Sequence, residues 1–404
     1  MAGIQVRVPR GGRGLGVCLA IGFALALAAP AAAPAARIVA VGDVHGDLEA
    51  FRKILSEAGI VDAAGGWIGA DAILVQTGDL IDRGPSMRGT LDYVMALERS
   101  AAARGGRVVS LLGNHEVMNM AGDLRYVAAA NYAEFADGGS EKRRADAWVE
   151  VRDLRKRRAR QLGQPEPPSG AEEKAAWFQA HPPGFLEHQE AFGPDGVYGR
   201  WLRARPACVV VQGTVFLHGG LAPALAGISA DEIDRRVHED LAALDGDRKL
   251  FVAQGLILPF FDLPETTAAL REALAAPEKS VQRAVYEHFL DWHGWTMNSP
   301  EGPLWFRGFA EWSDAEGAPQ VARLLSGAGV HRAVVGHTAQ KDGHIRIRFG
   351  GTLFLIDTGM LDATFFPGGR ASALEIADGV VTAIYPGEPR QVLWRGPPGG
   401  VGGQ

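Results

Sequence analysis

Short apolar runs separated by amphipathic stretches dominate the first seventy residues after position 36. Arg37–Gly42, Ala72–Gln76 and Arg107–Leu112 are each five or six residues long and show little polar alternation, the pattern of strands buried on both faces. Between them, Leu48–Ala58 and Ser86–Ala103 carry apolar residues at helical spacing. Asp47 directly precedes the first of these helices and is its expected N-cap, and Ser86, following Pro85, is placed to cap the second. Strands and helices alternating in this way predict a mainly parallel sheet covered on its faces.

The pattern then changes. Residues 119–205 are polar, Pro-containing and helical in character, with no clear strand. Within them Glu141–Arg160 holds nine Lys/Arg against four Asp/Glu, ordinarily a solvated helix face and alternatively a lid or partner surface. Strands resume at Ala207–Val211 and Val215–Leu217, a hairpin across Gln212–Thr214. Residues 230–295 read as helical again. Further strands are expected at Ala333–Val335, Ile345–Phe349, Thr352–Ile356, Ala373–Ile376 and Val380–Ile384. The Gly/Pro-rich end, 396–404, is expected to be a disordered tail.

The N-terminus has a different character. Arg7, Arg10 and Arg13 precede an apolar run, Leu15–Ala29, and an Ala/Pro stretch ending at Ala36. This is the layout of a secretory signal peptide cleaved near Ala36, so a secreted or periplasmic location is expected. The run is too short to span a bilayer comfortably, and no stable membrane span is expected after cleavage. The domain then runs over 37–395, with helical insertions at about 119–205 and 230–295.

Composition narrows the chemistry. A chain of 404 residues with 47% hydrophobic and 22% charged positions is neither disordered nor fibrous. The net charge of −6 becomes −9 without the leader, which carries three Arg and no acid, and this points away from a nucleic-acid surface. Only two cysteines occur, Cys18 in the leader and Cys208 in an apolar strand, so a disulfide scaffold and a Cys-rich zinc module are excluded. Eleven histidines remain to be explained.

Five short motifs stand where strands end: Gly42-Asp43-Val44-His45-Gly46, Gly78-Asp79-Leu80-Ile81-Asp82-Arg83-Gly84, Gly113-Asn114-His115-Glu116, His218-Gly219-Gly220 and Gly336-His337-Thr338. Ligands of open α/β sheets bind beyond the carboxyl ends of the strands, so these loops could converge on one crevice. Asp43, His45, Asp79, Asn114, His218 and His337 offer carboxylate, imidazole and amide donors without a thiolate, a set suited to Fe, Mn or Zn. Six ligands exceed one tetrahedral ion and match two ions sharing a carboxylate, the arrangement that clamps a transferring phosphoryl group.

With these motifs the chain resembles the calcineurin-like metallophosphoesterases, and within them the phosphoprotein phosphatase superfamily, over roughly residues 37–120, 206–224 and 300–360. Gly336-His337-Thr338, Pro303-Leu-Trp-Phe-Arg-Gly308 and the long insertion resemble the Shewanella-like bacterial branch. The resemblance implies a four-layer αββα sandwich and two divalent or trivalent metal ions, Mn²⁺ or Fe/Zn. It implies one ion on Asp43 and His45, the other on Asn114, His218 and His337, and Asp79 between them. It implies His115 as general acid oriented by Asp82, and Arg83 and Arg307 as phosphate-binding groups. The reaction implied is direct in-line hydrolysis of a phosphomonoester by a hydroxide held on the two ions. The partner is a phosphorylated protein or peptide, on Ser/Thr or Tyr, or a small phosphoester.

Glu116 and Asp82 argue against the rival reading, a nucleotide or dinucleotide polyphosphate hydrolase, since a diadenosine tetraphosphatase typically carries Asp after the Asn-His pair and lacks the Asp before Arg. A catalytically inactive metal-binding module is disfavoured because every ligand position and His115 are filled. His181, His188, His238, His288, His293, His331 and His344 are expected to be surface or core residues. Trp292, Trp295, Trp305 and Trp312 cluster about Arg307, by default as core packing and alternatively as a wall for an aromatic phosphoester.

Overall fold

The computed structural model describes residues 36–161, 163–275, 282–361 and 365–396. The leader and tail readings fall on residues 1–35 and 397–404, outside the described residues.

Eleven strands are present among the described residues: β1 Ile38–Val41, β2 Ile73–Gln76, β3 Arg107–Ser110, β4 Cys208–Val211, β5 Thr214–Leu217, β6 Arg332–Val335, β7 Arg346–Arg348, β8 Leu353–Leu355, β9 Ala373–Ala377, β10 Val380–Ile384 and β11 Gln391–Arg395. They form two sheets, ordered β11-β10-β9-β1-β2-β3 and β4-β5-β6-β8-β7. This corrects the expectation of one mainly parallel sheet. The β1–β2 and β2–β3 pairs are parallel, but β9, β10 and β11 extend that sheet with antiparallel pairs. The second sheet has parallel β5–β6–β8 at its centre and antiparallel edges. An apolar run specifies burial but not the direction of its neighbour, so the residue pattern could not separate the two sheets.

Alternation along the strands builds the layers. In β1, Ile38 and Ala40 join the apolar cluster between the sheets, while Val39 and Val41 face the opposite core with the helices. In β5, β6 and β8, Phe216, Val334 and Phe354 enter the same central cluster, and their neighbours pack into a third core with Val321, Leu324 and Leu325 of the helix Asp314–Gly327. The result is helix, sheet, sheet, helix: the four-layer sandwich.

Helices α1 (Leu48–Glu57) and α2 (Met87–Ala102) connect β1 to β2 and β2 to β3, and α3 (Asn114–Ala121) begins inside the third motif. The Asp47 side chain accepts the Ala50 N–H at 2.9 Å, as expected of an N-cap. Ser86 makes no side-chain cap bond. The Glu134 carboxylate does that work instead, accepting from the N–H groups of Met87 and Arg88 at 2.8 and 3.0 Å. An acid at a helix N-terminus satisfies orphan donors and the dipole together.

The insertion is helical among its described residues, with no strand. Arg158 of its long helix Ser140–Gln161 donates to Ala269 O at 3.0 Å, and Gln189 to Phe260 O at 3.4 Å, so the first insertion packs on the second and the two form one helical cap.

Candidate active site

The carboxyl ends of β1, β2 and β3 from one sheet, and of β5, β6 and β8 from the other, carry the loops that meet here. The first loop docks on the second: the N–H groups of Val44 and His45 donate to Asp79 O at 2.9 and 3.0 Å, and Gly46 N–H donates to Leu80 O at 2.8 Å. Glu116 fastens the second loop to the third. Its Oε2 accepts from Asp79 N and Gly113 N, and its Oε1 from Leu80 N, each at 2.8 Å. Burial, then the charge of Asp79, pushes the Glu116 carboxyl up to about 7 against those donated hydrogen bonds.

Close approach fixes two glycines. A Cβ on Gly78, whose φ is +93°, would fall 2.5 Å from Gly113 N, and one on Gly336 would fall 2.4 Å from Asp43 Oδ1. Of the nine non-glycine residues with positive φ among those described, five are His45, Asp79, Asp82, Arg83 and His337. Strain on the order of 1 kcal/mol or more per residue is thus concentrated where side chains must be aimed, as at other functional sites.

All eight of the expected ligand and acid–base residues are buried, and the structure brings them together. His45 Nδ1 lies 3.1 Å from Ile81 O and His218 Nδ1 lies 2.8 Å from Thr77 O. A carbonyl only accepts, so each Nδ1 carries the proton and each Nε2 offers its lone pair inward. His337 is reversed: its Nε2 donates to Trp305 O at 3.1 Å and Nδ1 faces inward, 3.1 Å from His218 Nε2. Asn114 Oδ1 is 2.9 Å from His218 Nε2, and Asp79 Oδ2 is 3.3 Å from it. His45 Nε2 stands 3.8 Å from Asp79 and 4.0 Å from Asp43.

Two groups of donor atoms each lie within 4.8 Å of one another: His45, Asp79 and His115, and Asp79, His218 and His337. Asp79 belongs to both. The charges fit cations as well. Burial, then the neighbouring Asp357, lifts the Asp43 carboxyl well above the usual range. Asp79 is held well below it although burial opposes this, mainly by His218 and His115. Burial also opposes charge on His218, but Asp79 and Asp43 outweigh it and raise the imidazole to about 9, so in the absence of an ion Nε2 carries a second proton toward Asp79 and Asn114 Oδ1, in the place a cation would take. His45 and His337 are held neutral, chiefly by burial, which suits them as donors. Buried carboxylates crowded against inward imidazole lone pairs call for positive charge, and the thiolate-free donor set suits borderline or hard ions.

His115 Nδ1 sits 2.6 Å from Asp82 Oδ2, and Asn119 Nδ2 donates to both Asp82 oxygens at 3.0 Å. Burial opposes protonation of His115, but Asp79 and Asp82 raise its pKa above the ordinary histidine value. Its Nε2 stands 3.8 Å from Asp79.

Arg83 and Arg307 line the same cavity, about 180 Å³ in volume. Arg83 lies between the rings of Tyr126 and Phe366 and contacts His45. Arg307 donates to His337 O at 2.8 Å and to Thr338 Oγ1 at 3.1 Å. Of the four tryptophans, Trp292 and Trp295 are core, as the default held, while Trp305 walls the cavity. Cys208 is buried, donates to Ala230 O at 3.1 Å and has its thiol pushed up to about 12 by burial, so it is a packing residue.

Sequence reasoning missed Asp357, Asn119, Tyr126 and Phe366. Asp357 follows β8, is buried, and its charge helps to lift the Asp43 carboxyl. Its signal was present: an Asp one residue beyond an expected strand, followed by Thr-Gly.

A family model described as calcineurin-like phosphoesterase matches residues 36–341. An uncharacterized protein of Schizosaccharomyces pombe is 29% identical over 87% of this chain and 81% of its own length. Shewanella-like protein phosphatase 2 of Arabidopsis thaliana is 32% identical over 52% of this chain and 53% of its own length. Among solved structures, a cold-active protein tyrosine phosphatase matches with a TM-score of 0.53 at 21% identity, over 89% of this chain and 79% of that one.

Proposed function

This chain belongs to the calcineurin-like phosphoesterases, and we propose that it is a dimetal phosphomonoesterase acting on phosphorylated protein or peptide. The observation that carries this reading is Asp79 standing between two imidazoles, His45 Nε2 at 3.8 Å with Asp43 4.0 Å from that nitrogen and His218 Nε2 at 3.3 Å, with the His115–Asp82 pair and two arginines at the same cavity. Asp43 and His45 would hold one ion, Asn114, His218 and His337 the other, with Asp79 shared. The ions, when bound, supply Lewis-acid activation of water and of the phosphoryl oxygens.

The chain's own groups do the rest. Arg83 and Arg307 bind phosphoryl oxygens through paired N–H donors and orient the ester. His115 gives its Nε2 proton to the leaving oxygen, while Asp82, itself held by Asn119, keeps the Nδ1 proton in place. Cys208 is committed to the core, so the phosphoryl group passes directly to water. The rings of Tyr126, Trp305 and Phe366 about the cavity favour an aryl ester, and we place phosphotyrosine first among phospho-residues. The Arabidopsis thaliana relative, named as a protein phosphatase, supports a polypeptide substrate. The leader pattern of residues 1–36 supports action outside the cytoplasm, and no described helix is long and apolar enough to cross a membrane.

The test is a substrate panel on enzyme stripped with chelator and reloaded with Mn²⁺. Phosphotyrosine peptides should be turned over with higher kcat/KM than phosphoserine or phosphothreonine peptides, and all should fail without metal. Faster turnover of diadenosine tetraphosphate than of any phosphopeptide would overturn the reading.

A further inference from the structure

Beside the catalytic cavity lies a larger one, about 660 Å³. The two share Trp305 and Arg307, so the groove opens where the phosphorylated residue would sit. Its character differs from that of the catalytic pocket. The indole of Trp312 joins Trp305 on its apolar side, and Glu301, Glu311 and Glu316 stand exposed along it. Glu301 and Glu311 make no ion pair among the described residues, and the Glu316 carboxylate accepts only from the Ser313 hydroxyl, to which Glu316's own backbone N–H donates. The cations on this wall are already committed. Arg125 is paired with Asp123 at 2.5 Å, and Arg307 is bonded to His337 O and Thr338 on the catalytic side.

We propose that this groove is a specificity site for the polypeptide flanking the phosphorylated residue, and that it selects lysine or arginine there. The inference rests on the phosphopeptide reading above and adds to it a sequence preference. Three carboxylates without a cationic partner attract a basic side chain, and the indole faces add cation–π attraction to the same group. An extended peptide advances about 3.3–3.6 Å per residue, so a groove that begins at Trp305 receives the first few residues beside the phosphorylated one. Cation–π contact and partly exposed ion pairs together amount to a preference of about tenfold in kcat/KM.

The experiment uses the full-length, Mn²⁺-loaded enzyme and two phosphotyrosine peptides of equal length. One carries Lys or Arg within three residues on either side of the phosphotyrosine, the other Asp or Glu at the same places. The wild-type enzyme should favour the basic peptide about tenfold, and Glu301→Gln with Glu311→Gln should bring the ratio toward one. Both residues are exposed, and the acidic peptide serves as an internal measure of intact catalysis. Equal kcat/KM for the two peptides, or a ratio unaltered in the double variant, overturns the groove and leaves the phosphopeptide reading standing. Turnover of p-nitrophenyl phosphate with neither peptide dephosphorylated overturns both.

Discussion

The strand-end crevice and the helical cap each bury histidines. In the crevice, His45, His218 and His337 each give one ring nitrogen to a backbone carbonyl and turn the other toward carboxylates. In the cap, His188 is as deeply buried, yet neither ring nitrogen has a hydrogen-bond partner. It lies among Tyr132, Phe135 and Phe192, stacked on the last with centroids 4.5 Å apart. Burial alone pushes its pKa down to about 3. Burial therefore does not mark a functional histidine. A carbonyl behind one nitrogen and an acid before the other is not enough either, since His181 of the cap has Trp177 O at 2.8 Å and Glu265 at 3.5 Å; what sets the crevice apart is that several such imidazoles converge on one carboxylate, Asp79.

The contrast can be broken most sharply at Asp79. Asp79→Asn removes the one carboxylate common to both donor groups, and kcat for p-nitrophenyl phosphate should fall at least about 10³-fold. Metal content, measured by elemental analysis, should fall with it. Full metal content and full turnover in that variant would remove Asp79 from the centre of the site. His115→Ala should lower kcat by about 10²–10⁴, most for poor leaving groups, while metal content stays near normal. Loss of bound metal instead would make His115 a ligand of the group it forms with His45 and Asp79.

The smallest effect belongs to the cap. An unfolded histidine protonates near 6.5, whereas folded His188 stays neutral down to about 3. Between those values the unfolded state binds the extra proton, so the stability due to neutral His188 is complete above about pH 6.5 and is lost as pH falls toward 3. In His188→Phe that dependence disappears. Urea midpoints of variant and wild type should diverge in favour of the variant as pH drops from 7 to 4.5, with catalysis at neutral pH hardly altered. A gap that stays constant with pH would mean that His188 does not resist protonation.

Local pattern reached the crevice further than it reached the fold. Each of the five motifs is contiguous in sequence, and a strand's end is marked where its apolar run stops, so the residues that meet in the crevice were legible one by one. What was not legible depends on partners distant in the chain. The β9–β11 extension is antiparallel only because of what it pairs with, and the Ser86 expectation failed because Glu134, from the insertion, occupies the helix terminus. Asp357 stood beyond an expected strand but lacked a neighbouring histidine to draw attention to it. The positive φ angles at His45, Asp79 and His337 are imposed by the assembled loops, and their residue types do not announce them.

One bond has a consequence in time. The His337 backbone N–H donates to both Asp43 oxygens, at 3.1 and 3.2 Å, joining positions 294 residues apart. At a synthesis rate of about 5–20 residues per second, Asp43 waits roughly 15–60 s before the strand that completes its surroundings has been made. Any ion held by the finished centre would therefore be captured late in the life of each molecule. For a chain moved across a membrane before residue 337 has folded, the receiving compartment, and not the cytosol, decides which ion is loaded.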